Sequence, residues 1–204
     1  NSTKQKSASA SYTSASGKFK FLYETVGSDA VPSTDDNGNG IPDYVEWAAE
    51  AADSSYNYLV GTIGFSDPIP VGSEYEVYFE DLSGTYGFTE TYNNPLGPST
   101  RIVIENDFSG FPDNDDPDGK QLGALRVTMA HEFKHAIQYQ QNSWDGDTDD
   151  WAEMDATLIE EVVYDLVNDY YNYLGSSDDI FGRPGLTVIP GSYEDITWAL
   201  FIHE

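Results

Sequence analysis

The stretch TMAHEFKHAIQY, residues 128–139, constrains the fold more than any other in the chain. It lies in a run of helical spacing from about Gln121 to about Gln141. Each residue of a helix advances by about 100°, so Leu122, Leu125, Met129, Phe133 and Ala136 fall in one narrow sector. His131 and His135 fall roughly opposite, with Ala124 and Thr128. The histidines therefore sit off the core stripe, on a face small enough for another element to approach closely. Two imidazoles one turn apart can take two corners of a zinc tetrahedron. Glu132, beside the first, then points at the water on the metal, which is the logic of H-E-x-x-H. The competing reading is a solvent-facing pair of histidines on an amphipathic helix.

A catalytic zinc usually keeps three protein ligands and one open position. The chain has no cysteine and only one further histidine, His203, so carboxylates must be considered. A second helix is expected over residues 151–174, with apolar positions Trp151, Met154, Leu158, Val162 and Leu166. On its other side lie Glu153, Thr157, Glu160 and Tyr164. Two acids and a tyrosine on that face suit a metal site, and spacing alone leaves Glu153 and Glu160 both open.

The segment DDNGNGIPDYVE, residues 35–46, matches D-x-[DN]-x-[DN]-G-x5-E in full. Asp35, Asn37, Asn39, the Ile41 carbonyl, Asp43 and Glu46 take the liganding positions of a calcium loop, and Gly40 takes the sharp turn. The simpler alternative is an Asp/Asn/Gly turn capping a helix that starts at Tyr44. Two further acidic loops, DNDDPDG (113–119) and DGDTDD (145–150), lack the full pattern and read as solvated loops and caps.

With 36 acidic and nine basic residues, the net charge is −27, which repels nucleic acid and anionic membranes. Enough hydrophobic and aromatic residues remain, 39% and 14%, to build a core. No apolar run reaches membrane-spanning length. Residues 1–17 are Ser/Ala-rich and read as a flexible tail. Strands are expected at 18–25, 75–81, 84–92 and 100–108, and a helix at 44–60 stopped by Gly61. The order of elements predicts an α+β domain over 18–204, with a small, mostly antiparallel twisted sheet and a backing helix. A sheet-and-helix lobe would span about 18–141 and a second lobe about 142–204. The chain ends inside the apolar segment WALFIHE, which reads as a piece of a longer precursor.

HEFKH followed after seventeen residues by EMDATLIE resembles the gluzincin arrangement of zinc metallopeptidases. DDNGNGIPDYVE (35–46), AHEFKHAIQ (130–138) and ATLIEEVVYDLVNDYYNYL (156–174) resemble a family of secreted bacterial metallopeptidases. The likeness runs from about Lys18 onward. Met154 departs from it, standing where a glycine often follows the ligand. The resemblance implies a zincin-like fold and a secreted zinc endopeptidase. His131, His135 and Glu153 would be ligands, Glu160 and Glu161 rival third ligands, and Glu132 the general base. It implies an oxyanion donor downstream, for which Tyr193, Tyr164 and His203 are candidates. It also implies a substrate-pairing edge strand, with Thr85, Tyr86, Gly87 and Phe88. Zinc would be catalytic, calcium structural, and the partner a peptide or protein. The alternatives are a calcium-dependent binding or adhesion module on a peptidase-like fold, and a zinc hydrolase of another substrate. An intact Glu132 favours catalysis.

Overall fold

The computed structural model describes residues 8–94, 96–145, 149–175, 181–185 and 192–203. Five strands form one open sheet in the order β1-β2-β3-β5-β4. They are β1 (Ala10–Thr13), β2 (Phe19–Tyr23), β3 (Tyr75–Glu80), β4 (Gly87–Asn94) and β5 (Gly97–Glu105). Four helices, α1 (Asp43–Tyr56), α2 (Lys120–Asn142), α3 (Asp149–Tyr164) and α4 (Ile196–His203), complete the frame.

The sheet is mixed rather than mostly antiparallel. β1–β2 and β4–β5 are antiparallel, while β2–β3 and β3–β5 are parallel. The reason lies in the order of elements. Helix α1 separates β2 from β3, and a strand–helix–strand crossover returns the chain in the same direction. The β4–β5 hairpin then places β5 beside β3 and leaves β4 at the free edge.

Strand alternation puts Phe19, Phe21, Tyr75, Val77, Phe79, Ile102 and Ile104 on one face, fully or almost fully buried. Against them pack the alanine-rich side of α1 and Leu125, Met129, Phe133 and Ile137 of α2. Phe133 is the centre of this contact. Its ring lies 5.4 Å from Phe19 and 6.0 Å from both Tyr56 and Tyr75. Removing such a side chain typically costs about 3–5 kcal/mol. The opposite face carries Arg101, which pairs with Glu90 at 2.8 Å and lies over the rings of Tyr78 and Tyr92.

Helix α2 is enclosed from both sides, and the run from Val127 to Lys134 is buried without a break. Its stripe of Leu125, Met129 and Phe133 meets the sheet, as the spacing predicts. Its histidine face meets α3 and β4. Helix α3 is likewise two-sided. Ile159 joins the main core, while Met154 joins a small cluster with Ile196 and Ala199 of α4. The face expected to lie away from the core, with Glu153, Thr157 and Glu160, is pressed against α2.

Four sequence readings change. Ala10–Thr13, read as part of the tail, is a strand, and Ser14 and Ser16 bind Asp53 of α1. Helix α1 runs on through Gly61 as π-helical turns and ends at Gly64, whose φ of 90° only glycine adopts freely. The helix expected to Leu174 stops at Tyr164, and Asn168 takes a left-handed conformation (φ 52°) before a short 3-10 turn at Asp169–Tyr173. The Val167 carbonyl is taken there by the Asp115 N–H at 2.7 Å, and Leu166, expected on the apolar stripe, is exposed.

Candidate metal centre

Helices α2 and α3 are fixed in register by three polar contacts. Lys134 Nζ, buried, pairs with Asp155 at 2.8 Å. Gln138 Nε2 donates to the Ala152 carbonyl and to Asp155, each at 3.1 Å. This register places Glu153 over the histidines. His131 Nε2 lies 3.0 Å from Glu153 Oε2 and 3.1 Å from His135 Nε2, and His135 Nε2 lies 3.4 Å from the same Oε2. Tetrahedral zinc ligands with bonds of about 2.0–2.1 Å stand roughly 3.3 Å apart. The three atoms thus converge on one point at the spacing a zinc ion requires. Among the described residues they form the one such group of His, Asp and Glu side chains.

The other ring nitrogens are also committed. His131 Nδ1 lies 2.6 Å from Glu160 Oε1, and His135 Nδ1 lies 2.7 Å from Gln138 Oε1. An acceptor on Nδ1 fixes its proton there and turns the Nε2 lone pair toward the metal point. Glu160 therefore orients a ligand from the far side of the ring, and Glu153 is the carboxylate at the metal point. Glu161 is buried, makes no hydrogen bond to either histidine and leaves its Oε1 without a partner; burial pushes its pKa up to about 8.

Burial opposes charge on His131, but the carboxylates of Glu153 and Glu160 outweigh it and push its pKa up to about 10 without metal. Burial likewise works against ionised Glu153, yet the two histidines hold its pKa well below the usual carboxylate range. A divalent ion would replace the shared proton between these groups, which fits the donor set to a metal.

Glu132, which lines both cavities at the metal point, is held from β4. The Thr89 hydroxyl lies 2.8 Å from both the Glu132 carbonyl oxygen and its Oε2. Gly87 allows this approach. A Cβ there would stand 2.9 Å from Thr128 Cγ2, 3.0 Å from the Val103 carbonyl and 3.4 Å from Glu132 Cγ.

Two cavities flank the metal point. One, of about 250 Å³, is bounded by Gly84–Gly87, Glu132, Tyr173 and Tyr193. The other, of about 400 Å³, includes Phe88, Thr89, His135, Trp144 and Glu153. Thr85 and Tyr86 precede the strand and line the first, and Phe88 lines the second. Tyr86 also pairs through its carbonyl with the Glu105 N–H at 2.9 Å.

Tyr193 lines both cavities and stacks on His131, with ring centres 5.7 Å apart and planes 11° from parallel. Burial raises its pKa, and a hydrogen bond to Glu153 adds to the effect, so it keeps its proton. Tyr164 is placed elsewhere: its hydroxyl donates to the Ala51 carbonyl at 3.1 Å, inside the packing against α1. His203 is exposed on α4 and lines neither cavity.

Sequence reasoning passed over Thr89 and the orienting role of Gln138. Both had a signal: Thr89 shares a strand face with Gly87, two residues away, and Gln138 follows His135 at the i+3 helical spacing. Tyr173, tilted against Tyr193 at 5.3 Å, had none, since it follows the unforeseen break at Asn168.

The 35–46 loop closes on itself. Asp35 accepts the N–H groups of Gly38, Asn39 and Gly40, and the amides of Asn37 and Asn39 donate to Glu46 at 2.8 Å. Ile41 donates its N–H to Asn39, and Asp43 turns instead toward the Asp36 N–H. In the 113–119 loop, Asp116 and Asp118 pair with Arg126, and Asp113 with Lys120.

An H-E-x-x-H helix followed by a glutamate-bearing helix, on a mixed open sheet, is a zincin-like architecture. Compared with known proteins, the chain matches no family model, no curated protein and no solved structure. No described helix is long and apolar enough to cross a membrane.

Proposed function

We propose that the protein is a zinc-dependent endopeptidase acting outside the cell. The observation that carries the reading is the convergence of His131, His135 and Glu153 on one point, with Glu132 beside it and a free-edged strand alongside. Zinc held by those three residues would supply Lewis acidity, which acidifies water and polarises a carbonyl oxygen. The chain's own residues supply the remainder. Glu132, steadied by Thr89, is placed to take a proton and pass it to the leaving amine. Tyr193, protonated and stacked on His131, is placed to donate toward a developing oxyanion. The free edge of β4 offers backbone groups to an extended peptide. The flanking cavities receive side chains on either side of the cleaved bond.

The reading extends to calcium at residues 35–46. Asp35, Asn37, Asn39, the Ile41 carbonyl and Glu46 would hold it, and it would pin the start of α1. Secretion rests on this loop and on the sequence resemblance.

The test is Glu132→Gln. Elemental analysis should find one zinc per chain in wild type and variant alike, with chelator-sensitive peptide hydrolysis in the wild type only. Full hydrolysis in the variant would sink the mechanism. Calcium without zinc in the wild type would point to a binding module.

A further inference from the structure

The smaller cavity joins a largely apolar, aromatic lining to two buried acids. Tyr86, Tyr173 and Tyr193 form walls, and Glu160 and Asp169 also line it. Both acids are buried, Asp169 completely and Glu160 to within 3% exposure. Glu160 Oε1 is engaged by His131, while Asp169 draws the Tyr86 hydroxyl and the amides of Asn114 and Asn172, the last to Oδ1 at 3.3 Å. The second oxygens, Glu160 Oε2 and Asp169 Oδ2, have no hydrogen-bond partner. Nor does a lysine or arginine among the described residues pair with either. Arg101 is taken by Glu90, Lys120 by Asp113, Arg126 by Asp116 and Asp118, and Lys134 by Asp155.

Buried carboxylates without a counter-charge are costly, and proteins retain them where a ligand completes them. Burial, with the nearby charge of Glu160, pushes Asp169 up to about 7, and hydrogen bonds from Asn114, Tyr86 and Asn172 offset this only in part. Aromatic walls around unmatched acceptors suit one kind of side chain. An ammonium or guanidinium gains charge-assisted hydrogen bonds at its tip, and its stem packs along ring faces.

We propose that this cavity selects a lysine or arginine side chain of the substrate, with Asp169 as the principal acceptor. The inference rests on the peptidase reading above. The cavity shares Gly87, Glu132 and Tyr193 with its neighbour across the metal point, so the selected residue flanks the scissile bond.

The zinc-loaded protein should be profiled on a peptide library by mass spectrometry, in wild type and Asp169→Asn. Lysine and arginine should be enriched at one position flanking the cleaved bond. The ratio of kcat/KM for a lysine substrate over its norleucine analogue should fall about tenfold or more in the variant. Apolar or acidic enrichment at both flanking positions, or an unchanged ratio, overturns the proposal. So does stoichiometric calcium that is lost in Asp169→Asn without a cationic preference. If the variant does not fold, the wild-type profile decides alone. If no peptide is cleaved, calorimetry with lysine amide decides. Asp169-dependent binding keeps the pocket while the peptidase reading fails, and absence of binding overturns the pocket as well.

Discussion

Substituting Gly87 by alanine tests the seam between β4 and α2, on which the placement of Glu132 depends. The new Cβ would meet Thr128 Cγ2 at 2.9 Å and the Val103 carbonyl at 3.0 Å. Neither neighbour can give way cheaply. The Thr128 hydroxyl donates to the Ala124 carbonyl at 2.7 Å, which fixes the rotamer and hence the methyl. Val103 lies in β5, paired on both sides. The edge strand must therefore lift from the helix. Overpacking of this kind costs about 1–3 kcal/mol. Stretching the Thr89–Glu132 hydrogen bond adds about 1 kcal/mol or more, because its acceptor is a carboxylate. A total of about 2–4 kcal/mol corresponds to a Tm roughly 4–16 °C lower for a chain of this size. Urea unfolding and thermal melts measure it directly, and peptide hydrolysis should fall with it because Glu132 loses its anchor. Thr128→Ser in the same chain removes the clashing methyl and keeps the hydroxyl bond, so it should restore the larger part of the loss. A Gly87→Ala protein within about 0.5 kcal/mol of wild type, with unchanged hydrolysis, would show that β4 does not press on α2 as described.

Two further outcomes follow from the metal centre. Glu153→Ala should remove most zinc affinity, whereas Glu160→Gln should weaken it about 10–100-fold, because only the orientation of His131 suffers; competition with a chromogenic chelator ranks the two, and the reverse order would exchange their roles. In the zinc-free protein, stability should decline as pH rises from about 5 to 10. His131, raised to about 10, stabilises the fold fully below its ordinary value near 6.5 and loses that contribution through about 10. Asp169 and Glu161, raised to about 7 and 8, keep protons that the unfolded chain has released, so the fold weakens across that lower range too. Urea midpoints against pH check this, and a rising curve would refute it.

What the sequence reveals and what it hides divide along physical lines. The strands, α2 and the pairing of His131 with His135 are legible because one helical or strand period carries them. Glu153 and Glu160 sit on a shared face in the sequence, but only side-chain geometry separates them, one on Nε2 and one on Nδ1 of the same ring. The parallel β2–β3 pair was written in the strand–helix–strand order of β2, α1 and β3, whereas the parallel β3–β5 pair depends on where the β4–β5 hairpin docks. The break after Tyr164 is hidden because its cause is distant: the Asp115 N–H claims the Val167 carbonyl across more than fifty residues. The strand at Ala10–Thr13 is hidden because Ser and Ala give no pattern, and pairing with Phe19–Tyr23 makes it.

The enclosure of α2 has a consequence for how a metal would be received. His131 belongs to the same buried run that holds Phe133 in the aromatic core, and half-buried His135 follows that run directly on the same helix. The ordering entropy of these two ligands is therefore met when the chain folds, rather than when an ion arrives. Hydrogen exchange of the His131 and His135 amides should accordingly report global unfolding.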